Sequence, residues 1–191
     1  LPGQFVFPAG TTVPAGGYLV VWCDSATNLT PGWHAGFALD PDGDGVFLFD
    51  SIGQRVDAVT FGRQVADRSL GRVAGGAAWQ LTLVSTNAPN TAAPVATPME
   101  IGLNEWLPNP PSGLPDWIEL FNRNTTLPAA LQGLWIRGSN GVQRLGRPAF
   151  LPPAGFLQLF ADEAVGPDHL DFKLPAAGGI LALHDATGQV L

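Results

Sequence analysis

Apolar positions in this chain fall in short runs rather than at helical spacing. The runs recur about every 10–15 residues, each bounded by Gly, Pro, Asn or Asp, as strands joined by turns require. They predict one set of strands near Phe5–Phe7, Tyr18–Trp22, Gly36–Leu39, Val46–Phe49, Val56–Phe61 and Trp79–Leu83. A second set is predicted near Ile101–Leu107, Trp117–Phe121, Leu134–Arg137, Phe156–Phe160, Leu170–Leu174 and Ile180–Leu183. Tyr18-Leu19-Val20-Val21-Trp22 is apolar throughout, which predicts cover on both faces. Leu127–Leu131 predicts one helical turn and no more. The class this points to is all-β, with β-sandwich architecture.

The pattern also repeats. Val13-Pro-Ala-Gly-Gly-Tyr-Leu-Val-Val-Trp-Cys-Asp24 reads against Pro152-Pro-Ala-Gly-Phe-Leu-Gln-Leu-Phe-Ala-Asp162. His34-Ala-Gly-Phe37 then reads against His169-Leu-Asp-Phe172, and Gly45–Asp50 against Gly179–His184. Two related units in one chain follow from that order. Their phases differ: only the first copy continues into Val56-Asp-Ala-Val-Thr-Phe-Gly62, Ser69-Leu-Gly-Arg72 and Trp79. Only the second is preceded by Leu103-Asn-Glu-Trp106 and Asp116-Trp-Ile-Glu-Leu-Phe-Asn122. The expected organisation is the C-terminal two-thirds of one unit over residues 1–90, a linker over 91–98, and the N-terminal two-thirds of a second unit over 99–191. Ser85–Pro98 carries few large apolar groups, so polyproline II is expected there. A sandwich that lacks strands exposes an edge. The missing strands must come from the other part of this chain, from neighbouring chains or from sequence beyond it. The start at Leu1 reads as a processed product or a piece of a longer chain.

Composition narrows the partners. Of the 191 residues, 24 are Gly and 18 are Pro, which leaves little room for a helix of average length. Nine basic against 16 acidic residues give a net charge of −7, so there is little from which to build a phosphate-gripping face. Nucleic acid is disfavoured as a partner. No apolar run is long enough for a membrane-spanning helix, so direct membrane insertion is not expected. The lone cysteine, Cys23, excludes an intramolecular disulfide, and a thiol inside an apolar strand is expected to be inert.

Leu103-Asn-Glu-Trp106, Asp116-Trp-Ile-Glu-Leu-Phe-Asn122, Leu131-x-Gly-Leu-Trp-Ile136, Pro14-Ala-Gly-Gly-Tyr-Leu19 and Val56-Asp-Ala-Val-Thr-Phe-Gly62 together resemble the lamin-tail domain family of bacterial type. The resemblance covers most of the chain as two out-of-phase partial copies. It implies immunoglobulin-like β-sandwiches in a secreted or cell-surface protein, without catalytic activity of their own.

Several residues invite chemistry. Asp40-Pro-Asp-Gly-Asp-Gly45 has the D-x-D-x-D-G spacing of a calcium loop, making Asp40, Asp42 and Asp44 the candidate ligands and calcium the candidate cofactor. The twelfth position is Ser51 rather than the bidentate Glu, with Asp50 a partial substitute, and the same segment also reads as a polar hairpin turn. Glu105 and Glu119 fall on strands expected to be neighbours, and paired carboxylates can act on glycosides. Asn104, Glu105, Asp116 and Asn122 equally suit bonds to loop backbone at strand ends. His34 and His169 occupy equivalent repeat positions, which favours packing or hydrogen bonding over metal binding. Trp22, Trp79, Trp117 and Trp135 are expected in the core, and Trp33 and Trp106 at the surface, where polysaccharide stacking is an option. The expected function is a non-catalytic structural or adhesive module, extracellular or at the cell surface, whose partners are other protein modules or copies of itself. The alternative is a calcium- or carbohydrate-binding accessory module of a secreted enzyme.

Overall fold

The computed structural model describes residues 3–24, 31–73 and 76–191, and they form an all-β protein with several sheets. Helical structure among them is a single 3-10 turn, Pro98–Glu100. The chain divides into two compact units. One comprises Leu1–Phe61 and Asp67–Ala93, the other Gly62–Ala66 and Pro94–Leu191.

In the first unit β1 (Val21–Trp22) pairs in parallel with β2 (Trp33–His34). β3 (Gly43–Phe49) and β4 (Arg55–Gly62) form a second pair. β5 (Ser69–Gly71), β6 (Gln80–Leu83) and β7 (Thr91–Ala92) form an antiparallel sheet of three. Among the described residues, the buried apolar ones of this unit are Ala35, Phe61, Leu81 and Ala93. Larger groups stay in water: Tyr18 is 51% exposed, Trp22 39% and Phe47 47%.

The second unit is better filled. β8 (Ile101–Leu107), β9 (Asp116–Asn122), β14 (Phe156–Ala161) and β15 (His169–Leu170) make one sheet in the order β15-β14-β9-β8. β11 (Trp135–Gly138) lies between β12 (Val142–Arg144) and β16 (Leu181–His184) in another. β10 (Ala129–Ala130) pairs with β13 (Phe150–Leu151). Along β9 and β14 alternate residues turn inward, Ile118, Leu120 and Asn122 on one, Leu157, Leu159 and Ala161 on the other, the period a half-buried strand imposes. These apolar residues join Ile136 and Leu183 of the three-stranded sheet in one buried cluster. Each fully covered Leu or Ile stabilises by about 1.5–3 kcal/mol. Residues 62–66 belong here as well: Gly62 N–H donates to Pro148 O at 3.1 Å, and Phe150 N–H donates to Arg63 O at 2.8 Å. Part of what the second unit needs is therefore supplied by sequence lying between strands of the first.

Three expectations are corrected. The 91–98 stretch is not a free linker. Thr91 and Ala92 pair with Leu83 and Thr82, Ala93 N–H bonds to Leu81 O, and Ala96 N–H bonds to Pro128 O. Alanine side chains are small enough to bury without an apolar face, and Ala93 and Ala96 are both buried. Leu127–Leu131 holds the short strand β10 rather than a helical turn. Phe5–Phe7 and Gly36–Leu39 form no strand, and Tyr18–Trp22 is strand only at its end.

Candidate functional site

The most specific geometry in the molecule occurs twice, once in each unit. Each copy begins with a tight turn: Gly17 N–H donates to Pro14 O at 2.8 Å, and Gly155 N–H donates to Pro152 O at 3.0 Å. A Cβ on Gly17 would stand 2.6 Å from Pro14 Cγ, and one on Gly155 2.5 Å from Pro152 Cγ, so both positions need glycine. A strand follows, with an aspartate just beyond its end, Asp24 in one copy and Asp162 in the other. Trp22 then pairs with His34, and Phe160 with His169, in the same parallel register. The imidazole closes back on that aspartate: His34 Nδ1 is 2.6 Å from Asp24 Oδ1, and His169 Nδ1 is 2.9 Å from Asp162 Oδ1. Burial works against the Asp162 carboxylate, but bonds from His169 and from Ala164 N–H hold its pKa below the ordinary value.

Further along, Gly43 N–H donates to Asp40 O and Gly178 N–H to Pro175 O, both at 3.2 Å. The hairpin loops then match residue for residue. Asp50 N–H bonds to Gln54 O and Asp185 N–H to Gln189 O, each at 2.9 Å, and each aspartate Oδ1 accepts the glutamine N–H. Asp50 is thus the counterpart of Asp185, not of His184. The apolar pattern had placed the repeat one residue out at this point.

The same comparison describes the candidate calcium loop. Asp40 Oδ1 accepts Asp42 N–H at 2.9 Å, and Asp44 Oδ1 accepts Gly45 N–H at 2.7 Å, so these carboxylates brace a turn. Pro175–Gly178 makes the corresponding turn with no carboxylate at all. Among the described residues no group of three or more His, Cys, Asp and Glu is gathered as a metal would need. The strand that follows starts at Gly43, and no strand precedes the turn, so the segment is not a hairpin between two strands.

Glu105 and Glu119 do face each other across β8 and β9 beside a bulge, and Asn104 Nδ2 donates to Glu119 Oε1 at 2.6 Å. Neither lines a cavity of the second unit described below. Asp116 and Asn122 serve loop backbone: Asp116 Oδ2 accepts Leu174 N–H at 3.0 Å, while fully buried Asn122 donates to Leu127 O at 2.9 Å and Pro152 O at 3.0 Å. In the first unit Arg72 grips Asp57 through two bonds, 2.6 and 2.9 Å, with its guanidinium 4.2 Å from the Trp79 ring centre. The Arg72 bond holds the Asp57 carboxyl below its usual pKa.

None of the four tryptophans expected in the core is fully buried, and Trp22 is exposed. Trp106 is exposed, as its loop neighbours implied. Cys23 is half-buried; burial raises its thiol pKa, and the charges of Asp24 and Asp44 raise it further, so it is a poor nucleophile. Sequence patterning missed Arg63, Arg144 and Arg147, which line a cavity of about 160 Å³ in the second unit together with Gln143 and Asp168. They are scattered in sequence and carry no common spacing, so only folding brings them together. Arg63 Nη1 donates to Phe156 O at 2.9 Å, and Asp168 sets a negative charge on the cavity wall. The electrostatics there are mixed rather than anion-selective.

No family model, curated protein or solved structure matches the chain.

Proposed function

We propose that the chain is a non-catalytic structural module that makes protein–protein contacts, built from two related immunoglobulin-like β-sandwich units of the lamin-tail type. The observation that carries the reading is the repeated turn, strand and Asp–His closure, filled and covered in one unit and uncovered in the other. In the second unit Leu157 and Leu159 of β14 are buried in one cluster with Ile118 and Leu120 of the adjacent β9 and Ile136 and Leu183 of the three-stranded sheet. Their counterparts in the first unit, Leu19 and Val21, are only half-buried, beside exposed Tyr18 and Trp22. Exposed apolar surface next to an open sheet edge is what an assembling β protein presents. The extracellular or cell-surface setting that goes with this reading rests on the sequence resemblance.

Sedimentation velocity over a wide range of concentration tests it. Association that grows with concentration, or stoichiometric binding to another module of the same protein, is the expected result. A stable monomer at every concentration that engages no other module would overturn the reading.

A further inference from the structure

We propose that the outer edge of Tyr18–Cys23 is a docking site for an extended strand of the type Asp-Trp-Ile-Glu-Leu-Phe-Asn, the pattern of this chain's own 116–122. The proposal rests on the reading of the chain as a contact module and specifies which edge makes the contact and what it accepts.

The argument comes from the second copy. There β14 is flanked on both sides: β15 pairs in parallel on one edge, and β9 is antiparallel on the other over six residue pairs, from Phe156 opposite Phe121 to Ala161 opposite Asp116. In the first copy β1 has its parallel neighbour β2 in the same register, and the sheet has only these two strands among the described residues. The side that β9 occupies in one copy is the side left over in the other. Antiparallel strand addition satisfies such an edge through main-chain hydrogen bonds, and pockets for alternate side chains supply selectivity.

The selectivity is specified by three anchors that β9 makes and for which the first unit has the matching partner. Asp116 accepts the Leu174 N–H, and the counterpart amide is that of Leu39. Asn122 donates to Pro152 O at the start of the turn, and the counterpart carbonyl is that of Pro14. Phe121 stacks on Phe156 with ring centres 4.5 Å apart, and the counterpart ring is the exposed Tyr18. Between these anchors, Ile118 and Leu120 of an incoming strand would stand beside Val21 and Leu19, as they stand beside Leu159 and Leu157 in the second unit. A strand of different pattern would satisfy the ladder but leave the anchors unmade.

The test uses the full 191-residue chain and a labelled synthetic peptide of residues 114–124, with binding read by fluorescence anisotropy. Saturable one-to-one binding is expected. Leu19→Pro in the chain, which puts a ring on the docking edge and removes a donor there, as its counterpart Leu157 faces β9, should weaken binding at least about tenfold. Leu120→Pro in the peptide, which removes a donor on the side that faces β14 in the second unit, should weaken it as much, and this second variant leaves the folding of the chain untouched. A photoreactive group at the Phe121 position of the peptide should label the neighbourhood of Tyr18. The proposal is overturned if the peptide does not bind, if both proline variants bind as well as the parent, or if the label falls in the second unit. Should the chain self-associate while the peptide fails, this edge assignment falls and the contact-module reading stands. Should both fail, both fall.

Discussion

His169 reaches back across the end of a parallel strand pair to place Nδ1 2.9 Å from Asp162 Oδ1, which fastens the loop between β14 and β15. Asp162 also accepts Ala164 N–H at 3.0 Å, so one carboxylate holds both ends of the loop. Asp162→Asn is expected to destabilise the second unit by about 1–2 kcal/mol, the range for a partly exposed bond to a charged group. Denaturant titration of Asp162→Asn, His169→Ala and the double variant measures it. Fully additive losses would mean that the two side chains do not act on each other.

Four carboxylates, Asp57, Glu100, Asp162 and Asp185, have pKa values held below the ordinary range by hydrogen bonds in the folded chain. A carboxyl whose pKa falls on folding binds fewer protons folded than unfolded, so its contribution is complete above the unfolded pKa. It is lost as pH drops through the folded one. Stability is therefore expected to be level near neutrality and to decline below about pH 4. Arg72→Gln, which takes away the guanidinium that depresses Asp57, should make the acid limb shallower. An unchanged limb would show that Asp57 does not report on stability.

Ala154 sits at φ 51° in the left-handed region, where its first-unit counterpart is Gly16 at φ 68°. An L side chain there costs about 1–2 kcal/mol, partly offset because glycine is looser when unfolded. Ala154→Gly should raise the stability of the second unit by up to about 1 kcal/mol, and Gly16→Ala should lower that of the first. Paired thermal melts decide it, and destabilisation by Ala154→Gly would mean that the αL strain is absent in solution.

Asn122 is fully buried and donates to two loop carbonyls, while its Oδ1 accepts Asn124 N–H at 3.1 Å. Asn122→Ala leaves those groups without their partner and should cost about 1–3 kcal/mol. Amide exchange is the sharper readout: protection at Asn124 should fall before that of the β9 core.

Asp40, Asp42 and Asp44 are expected to behave as turn residues. Melting midpoints in calcium and in chelator should coincide, and Asp42→Ala should leave the curve where it was. A midpoint that climbs with calcium concentration, as mass action demands of a bound ligand, would restore the metal-site reading.

The strands with strong period were legible from residues alone. Ile101–Leu107 matches its predicted bounds to the residue, and Phe156–Phe160 and Trp117–Phe121 match theirs within one position; in the latter two, inward Leu and Ile recur every second residue. The repeat was legible too, since turn glycines, terminal aspartates and the two histidines recur in one order. Its last segment slipped by one residue because an apolar run tolerates a shift, whereas the Asp-x-x-Gly-Gln loop fixes register through hydrogen bonds. Strands of two or three residues, such as Ala129–Ala130 and Thr91–Ala92, carry no period and exist only because a partner lies beside them. The same holds for the candidate edge. Nothing in Tyr18–Cys23 distinguishes a covered strand from an open one, and only its β14 counterpart reveals the difference.

The brief passage of residues 62–66 into the second unit has a practical result for anyone dissecting the chain. Compactness in space and contiguity in the gene part company there, because the residues on either side of that passage belong to the first unit. No single cleavage point gives both parts whole. A fragment started at Pro94 would leave Pro148 and Phe150 without the main-chain partners that Gly62 and Arg63 provide. Exchange of such a fragment between proteins would have to carry a short piece of foreign sequence with it.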